Sequence, residues 1–392
     1  LKILHIASFI GNIGDNASHQ GFHHILNHFF PKYSVTNIEI RKFYKNYQHL
    51  DKQSFDEGFI QYANQFDLLV IGGGGFLDYW VEESATGTTI DIEPGLLGSL
   101  DVPTLITSVG CMPHKPVPPG NIEKFRTFLD CALANPKIRI AVRNDGSVNS
   151  LHNVIGAHYG RRIPEVLDSG FFYQASSGPS LPVPRKYAAI NITHDQINMH
   201  GAATASTHRP RYYEQLAEVV EHIIVDHDLD IVLVPHIYSD LIAISHLLEK
   251  MDDFLIREHV GVAPCIQGAQ GADYLFSIYK NSALVLGTRL HANICSLAMA
   301  KAAIGLVALS RVQYVYDFLG LGEQCVLLDG NFSAKLQEKI AETLRNKIAM
   351  ERALSQRCHQ EKKKTLQIYQ TFFTDLMPSL TGIQQEPPPA TG

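Results

Sequence analysis

Arg289 and His291 stand two residues apart in the segment Leu286-Gly-Thr-Arg-Leu-His-Ala-Asn-Ile294. The segment ends an apolar run and leads into a helix-like one, a junction from which both side chains can reach a crevice. An arginine offers a planar fork of donors that fits phosphate or carboxylate. A histidine titrates near neutral pH and can deliver a proton. Either residue alone also reads as a helix cap or a core group. Together, at the end of a strand, they read as an anion site with a general acid beside it. Thr288 and Asn293 of the same segment are taken as further substrate contacts.

Two glycine-rich segments complete the set. Gly11-Asn-Ile-Gly-Asp-Asn16 follows the first apolar run and precedes a helix. There free backbone N–H groups and a partial positive charge suit an anion or a sugar hydroxyl. Asn12, Gly14 and Asn16 are read as binding positions and Asp15 as a catalytic base; a plain strand-to-helix turn with an Asp cap is the bland reading. In Val70-Ile-Gly-Gly-Gly-Gly-Phe-Leu-Asp78, residues Gly73, Gly74 and Gly75 bare the backbone where a ligand can approach. The spacing fails the GxGxxG dinucleotide pattern and no GK[ST] follows. A tight sheet crossing is the alternative. His236, Arg143 and Arg311 each follow an apolar run and are read as lesser substrate contacts, with a surface or capping role as the alternative. His23-His24 has no matching Cys or carboxylate spacing. His194, Asp195, His200 and His208 are irregularly spaced, so no metal site is expected. GxSxG and HExxH are absent.

These residues need a scaffold. Short apolar runs recur at Lys2–Phe9, Val35–Ile40, Leu68–Ile71, Thr104–Val109 and Ile138–Val142. They recur again at Tyr187–Ile192, Ile231–Pro235, Ala283–Leu286, Ala303–Val307 and Val326–Leu328. They lack the strict alternation of half-exposed strands, which suits parallel sheets covered on both faces. Helices are expected between them, at Asn16–Phe30, Ile122–Ala134, Tyr212–His227 and Ala292–Ala300. The expected fold is α/β, with two Rossmann-like domains facing a cleft and a long C-terminal helix. The expected bounds are 1–175 (acceptor side), a Ser/Gly/Pro-rich linker at 176–186, and 187–332 (donor side). A helical segment at 333–377 and a disordered tail at 378–392 follow. Leu336, Ile340, Leu344 and Ile348 predict one apolar stripe on the long helix, and Gln360–Lys364 a solvated face.

Composition limits the function classes. The 392 residues carry 33 Lys+Arg against 39 Asp+Glu, a net charge of −6. That balance argues against nucleic-acid binding through bulk charge, so an anionic substrate needs a local basic cluster. Six cysteines are scattered without metal-like spacing and read as free thiols of a reducing compartment. The chain opens on a strand-like Leu-Lys-Ile-Leu-His and no run approaches the length of a membrane span. A cytoplasmic protein with no integral membrane segment is expected, with peripheral membrane association and oligomeric state left open.

The order of the motifs resembles the polysaccharide pyruvyltransferase family. The matching segments are GNIGDN (11–16), VIGGGGFLD (70–78), AVRNDGS (141–147), VLDSGF (166–171), VPH (234–236) and GTRLHANI (287–294), followed by Ile304-Gly-Leu and Ser310-Arg311. The resemblance implies a GT-B-like fold and transfer of a pyruvyl group from phosphoenolpyruvate to two hydroxyls of a sugar, forming a cyclic ketal. It implies a sugar or lipid-linked oligosaccharide acceptor, phosphoenolpyruvate as co-substrate and no further cofactor. Arg311 stands where family members often have lysine. His291 is the implied acid and Asp15 the candidate base. With a single tryptophan in the chain, the acceptor's stacking platform is left among Phe76, Tyr79 and Trp80. The competing readings are a nucleotide-sugar glycosyltransferase of the same architecture and a two-lobed carbohydrate-binding protein without catalysis.

Overall fold

The computed structural model describes residues 1–175, 185–199 and 205–378. Its chain forms two six-stranded parallel sheets, each built from one half of the sequence. The first holds β1 (Lys2–Ala7), β2 (Ser34–Glu39), β3 (Leu68–Gly72), β4 (Thr104–Val109), β5 (Ile138–Arg143) and β6 (Glu165–Val166), in the order β2-β1-β3-β4-β5-β6. The second holds β7 (Tyr187–Asn191), β8 (Asp230–Leu233), β9 (Val260–Val262), β10 (Leu284–Gly287), β11 (Ala303–Val307) and β12 (Cys325–Leu327), in the order β12-β11-β10-β7-β8-β9. Strands β1, β3, β4, β7, β8, β10 and β11 are buried almost end to end. This is why their sequences run apolar without alternation.

Each sheet reverses its direction of winding once. In the first, the reversal falls between β1 and β3; in the second, between β7 and β10. Adjacent loops diverge at such a point and leave a crevice beyond the strands' carboxyl ends. The segments after β1 and β3 are the two glycine-rich motifs, and the segment after β10 carries Arg289 and His291. The topology therefore collects the three motifs at the two reversals.

Ten of the twelve strands coincide with the apolar runs of the sequence. The two others, β6 and β9, span two and three residues and are too short to show a pattern. The halves share one hydrophobic core, which joins Ile13, Phe22 and Leu68 to Val285, Leu290 and Tyr316. The helix Ser333–Leu376 starts on the second half and returns to the first. There Phe373 packs edge-on against Phe29 at 5.1 Å, and Tyr369 hydrogen-bonds Thr107 through its hydroxyl at 2.8 Å. Leu336 and Ile340 of the expected stripe are buried, but Ile348 is 82% exposed. A four-residue repeat advances about 40° beyond a full turn at each step, so the stripe rotates out of the interface. Gln360–Lys364 is not wholly solvated either: Glu361 is buried and bonded to Lys364 at 2.9 Å. All six cysteines are free. Most of the expected linker (176–184) and of the tail (379–392) lies outside the described residues, as do His200 and the side chain of His208. Among the described residues, no helix is long and apolar enough to cross a membrane.

Candidate active site

The turn after β1 is set by Asn12, whose side-chain oxygen accepts from the backbone N–H of Gly14 and caps the helix Ile13–Phe29. Capping leaves Asp15 in the first helical turn, facing the cleft. Its carboxylate accepts from the Ser8 hydroxyl at 2.8 Å and lies 4.0 Å from Arg41. Burial raises the Asp15 pKa from its ordinary value, opposed by His291, the Ser8 hydrogen bond, Arg41 and Arg143. Asn16 turns inward instead and donates to the Phe9 carbonyl at 2.7 Å. It holds the turn and does not face a ligand.

The four glycines divide into two pairs. Gly72 and Gly73 serve packing: a Cβ on Gly72 would collide with the Thr107 carbonyl, and Gly73, at φ +81°, lies against the His19 ring. Gly73 therefore leaves the set of ligand contacts expected from the sequence. Gly74 and Gly75 do line the cleft. Just beyond them, Asp78 accepts from the Met112 N–H at 2.7 Å and stands 3.6 Å from Arg311. Burial raises its pKa, with Arg311 acting against the shift.

On the opposite side, β10 passes into the helix Leu290–Ala298 through a junction fixed from β7. The Asn191 side-chain oxygen accepts from the Arg289 N–H at 2.9 Å, and its main-chain carbonyl accepts from Thr288 at 3.1 Å. His291 is thereby delivered to the other half of the molecule. Its ring packs against the backbone of Gly14 and approaches Gly170. Nε2 lies 3.4 Å from Asp168 Oδ1, a close approach longer than a full hydrogen bond. Asp168 is fully buried and burial alone would raise its pKa. His291, Arg143 and the Gly170 N–H outweigh burial and hold the carboxyl well below the usual range.

Several residues expected to touch substrate are committed elsewhere. Arg289 directs its guanidinium at the buried carboxylate of Asp240, with Nε 2.8 Å from Oδ2, and at Asp195 at 2.7 Å. Two carboxylates thus face one cation, so Arg289 is not an open anion site. Asp195 is engaged by the same pairing. Arg143 is equally enclosed, with Nε 2.7 Å from Asp145 and Nη1 3.2 Å from Asp168. His236 does not reach the cleft edge: it is fully buried, with Nε2 2.8 Å from the Tyr279 hydroxyl. Burial, reinforced by Arg289 and His291, holds it neutral with a pKa well below the usual value. Asn293 is buried and spans the Gly287 and Arg289 carbonyls, while Tyr316 donates to it at 2.9 Å. Thr288 is buried as well, its hydroxyl without a partner among the described residues.

Arg311 does face the cleft. It donates to Nδ1 of His114 at 2.8 Å across the boundary between the halves. His114 accepts that bond as a neutral ring, since burial, Arg311 and Lys115 lower its pKa to about 4. The cleft encloses about 660 Å³ and includes Ser8, Asp15, Gly74, Asp78, His114 and Arg311 in its lining. That volume suits a small-molecule site. Asp168, Asp78, His114, Ser8 and Arg41 carried no assigned role in the sequence. Asp168 and Asp78 sit inside motifs already singled out, but nothing in the linear order of those motifs brings Asp168 to His291.

A profile described as polysaccharide pyruvyl transferase matches residues 12–308, which contain Asp15, Asp168 and His291. The chain belongs to the polysaccharide pyruvyl transferase family. It is accordingly a transferase enzyme. No curated protein matches it by sequence. Among solved structures, it is similar to a glycosyltransferase from Rickettsia africae, with TM-score 0.56, 9% identity, and coverage of 96% of this chain and 99% of that one. It is also similar to the UDP-GlcNAc 2-epimerase from Neisseria meningitidis bound to UDP-GlcNAc, with TM-score 0.55, 10% identity, and coverage of 95% and 100%. The UDP-GlcNAc 2-epimerase from Methanocaldococcus jannaschii gives TM-score 0.52, 12% identity, and coverage of 88% and 93%. At such identities the likeness is one of fold: this pyruvyl transferase has the GT-B-like architecture.

Proposed function

We propose that the protein transfers the pyruvyl group of phosphoenolpyruvate to two hydroxyls of a glycan sugar, forming a cyclic ketal and releasing phosphate. The observation that carries this reading is the meeting of His291, Asp168 and Asp15 where the two sheet reversals face each other, beside a cleft that holds Arg311. The acceptor sugar lies against the first half, near Asp15, and the donor against Arg311 of the second half.

In this reading Arg311 takes an anionic group of phosphoenolpyruvate, held in aim by the His114 ring. His291 gives a proton to the methylene carbon, which becomes a methyl group and leaves the adjacent carbon electrophilic. A sugar hydroxyl adds to that carbon and passes its proton to Asp15. A second hydroxyl then attacks the same carbon as the bond to the phosphate oxygen breaks, closing the ring. The two hydroxyl protons are balanced by the new methyl hydrogen and by the proton that departs with phosphate. Asp168 is a positioning residue that supplies a fixed negative charge beside the His291 ring. Each step needs only side chains of this chain.

The test is acceptor-dependent release of phosphate from phosphoenolpyruvate, with the ketal methyl group identified by NMR of the product glycan. His291→Asn should lower turnover by about 10²–10⁴-fold, the usual worth of a general acid. Full activity in that variant would sink the assignment of the proton donor. Phosphate release that is indifferent to every acceptor would sink the transfer itself.

A further inference from the structure

Trp80 is the single tryptophan of the chain, and it lines the cleft that holds Asp15 and Arg311. Its neighbours do not explain it as a core residue. Phe76 and Tyr79 beside it are buried, at 4% and 2% exposure, whereas Trp80 is only half-buried. The Lys115 ammonium lies over the indole, 4.2 Å from the ring centroid, and the His114 ring meets it edge-on at 5.8 Å. The indole N–H is screened from solvent and has no acceptor among the described residues. A buried indole N–H normally finds a partner. Here, then, is a large half-buried ring on the wall of the cleft, with an unpaired donor and an exposed lysine over its face.

We propose that Trp80 is a stacking platform for a second sugar unit of the acceptor, and that Lys115 is a displaceable cover on it. This rests on the pyruvyl-transfer reading for the identity of the first sugar, the one at Asp15. Three features favour a neutral oligosaccharide as the occupant. The cleft, at about 660 Å³, takes in Tyr44, Asn46 and Thr89 as well as the reacting residues. The other cations on that side are already matched, Arg41 by Glu39 at 2.9 Å and Lys45 by Asp91 at 2.7 Å, so an anionic ligand finds little open charge. A cation over an aromatic face near the surface is held only weakly, so an apolar sugar face can displace it. Once displaced, the ammonium can donate to a sugar hydroxyl, while the indole N–H gains the acceptor it lacks.

The single tryptophan makes its own emission the reporter, with no need for the donor or for turnover. The full chain is titrated with neutral mono-, di- and trisaccharides of gluco, galacto and manno configuration. At least one oligosaccharide should change the emission saturably, at a concentration about tenfold below that of its terminal monosaccharide, the worth of one stacking contact. An unchanged emission across the panel overturns the platform, as does an equal response to monosaccharide and oligosaccharide. Lys115→Met should alter the emission of the ligand-free protein; no change would show that the ammonium does not cover the ring. Trp80→Leu should weaken oligosaccharide binding about tenfold by calorimetry, with Trp80→Phe in between as a control for folding. An emission response without transfer from any donor would uphold the platform and defeat the pyruvyl-transfer reading. Transfer with an unchanged acceptor KM in Trp80→Leu would do the reverse.

Discussion

A Cβ placed on Gly14 would fall 2.6 Å from both Cβ and Nδ1 of His291. The helix that starts at the first sheet's reversal therefore seats the histidine delivered by the second. We predict that Gly14→Ala displaces the ring. The overpacking should cost about 1–3 kcal/mol of stability, read by denaturant unfolding. Turnover should fall far more than the KM for phosphoenolpyruvate rises, because Arg311 is untouched. If crystals of the variant showed His291 in place, with turnover intact, the seat would not matter.

The two arginines of the donor side should separate cleanly. Arg289→Met leaves the buried Asp240 carboxylate without its main partner, and breaking such a pair costs about 3–5 kcal/mol. Arg311→Met removes a cleft-wall residue that stands 3.6 Å from the buried Asp78 carboxylate, so it should lower the unfolding midpoint as well, but less than Arg289→Met does. Its KM for phosphoenolpyruvate should rise by about 10–100-fold, the loss of a charged hydrogen bond. The reverse pattern, a stable Arg289→Met protein with impaired donor binding, would return Arg289 to the role its spacing first suggested.

This contrast shows how far the linear sequence could be read. Apolar runs located ten strands, and glycine and basic residues after β1, β3 and β10 located the motifs. Partners were not legible. Arg289 and Arg143 look like anion contacts until Asp240, Asp195, Asp145 and Asp168 fold against them, and those carboxylates lie up to 94 residues away. The same holds for Asn16 and Asn293, whose amides are consumed by backbone carbonyls of neighbouring turns. Asp168 was missed for the opposite reason. It meets His291 only because a turn of the first half packs against a helix of the second, and no periodicity records that contact.

Asp15 should reveal itself through pH. Burial raises its pKa in the folded chain above the unfolded value of about 4. The native state then binds more protons than the unfolded state between those two values, so stability falls as pH rises through that window. Above it, the buried charge is a constant penalty. Asp15→Asn should therefore melt higher than the parent at neutral pH, with the gain vanishing in acid. It should also lose most of its turnover. A variant that melts lower at neutral pH would mean that Ser8, Arg41 and His291 together stabilise the carboxylate in excess of its burial.

Asp168 carries the opposite sign. Its folded pKa is depressed, so its stabilisation is fully present above about pH 4 and is lost as pH falls through the folded value. Asp168→Asn keeps the shape but leaves Arg143 with Asp145 alone and His291 with Asp15 as its remaining carboxylate neighbour. Because Arg143 retains one partner, the loss should sit near the lower end for a broken buried pair, about 3 kcal/mol. The gap from the parent should stay constant from neutral pH down to about pH 5, then close in stronger acid. Turnover should fall while the KM for phosphoenolpyruvate changes little, since the donor's anion is held by Arg311. Chemical denaturation across pH reads the first effect and initial rates the second. A variant that lost stability yet kept its turnover would make Asp168 a partner of Arg143 alone, and His291 would have to be aimed by Gly14 and Gly170 without it.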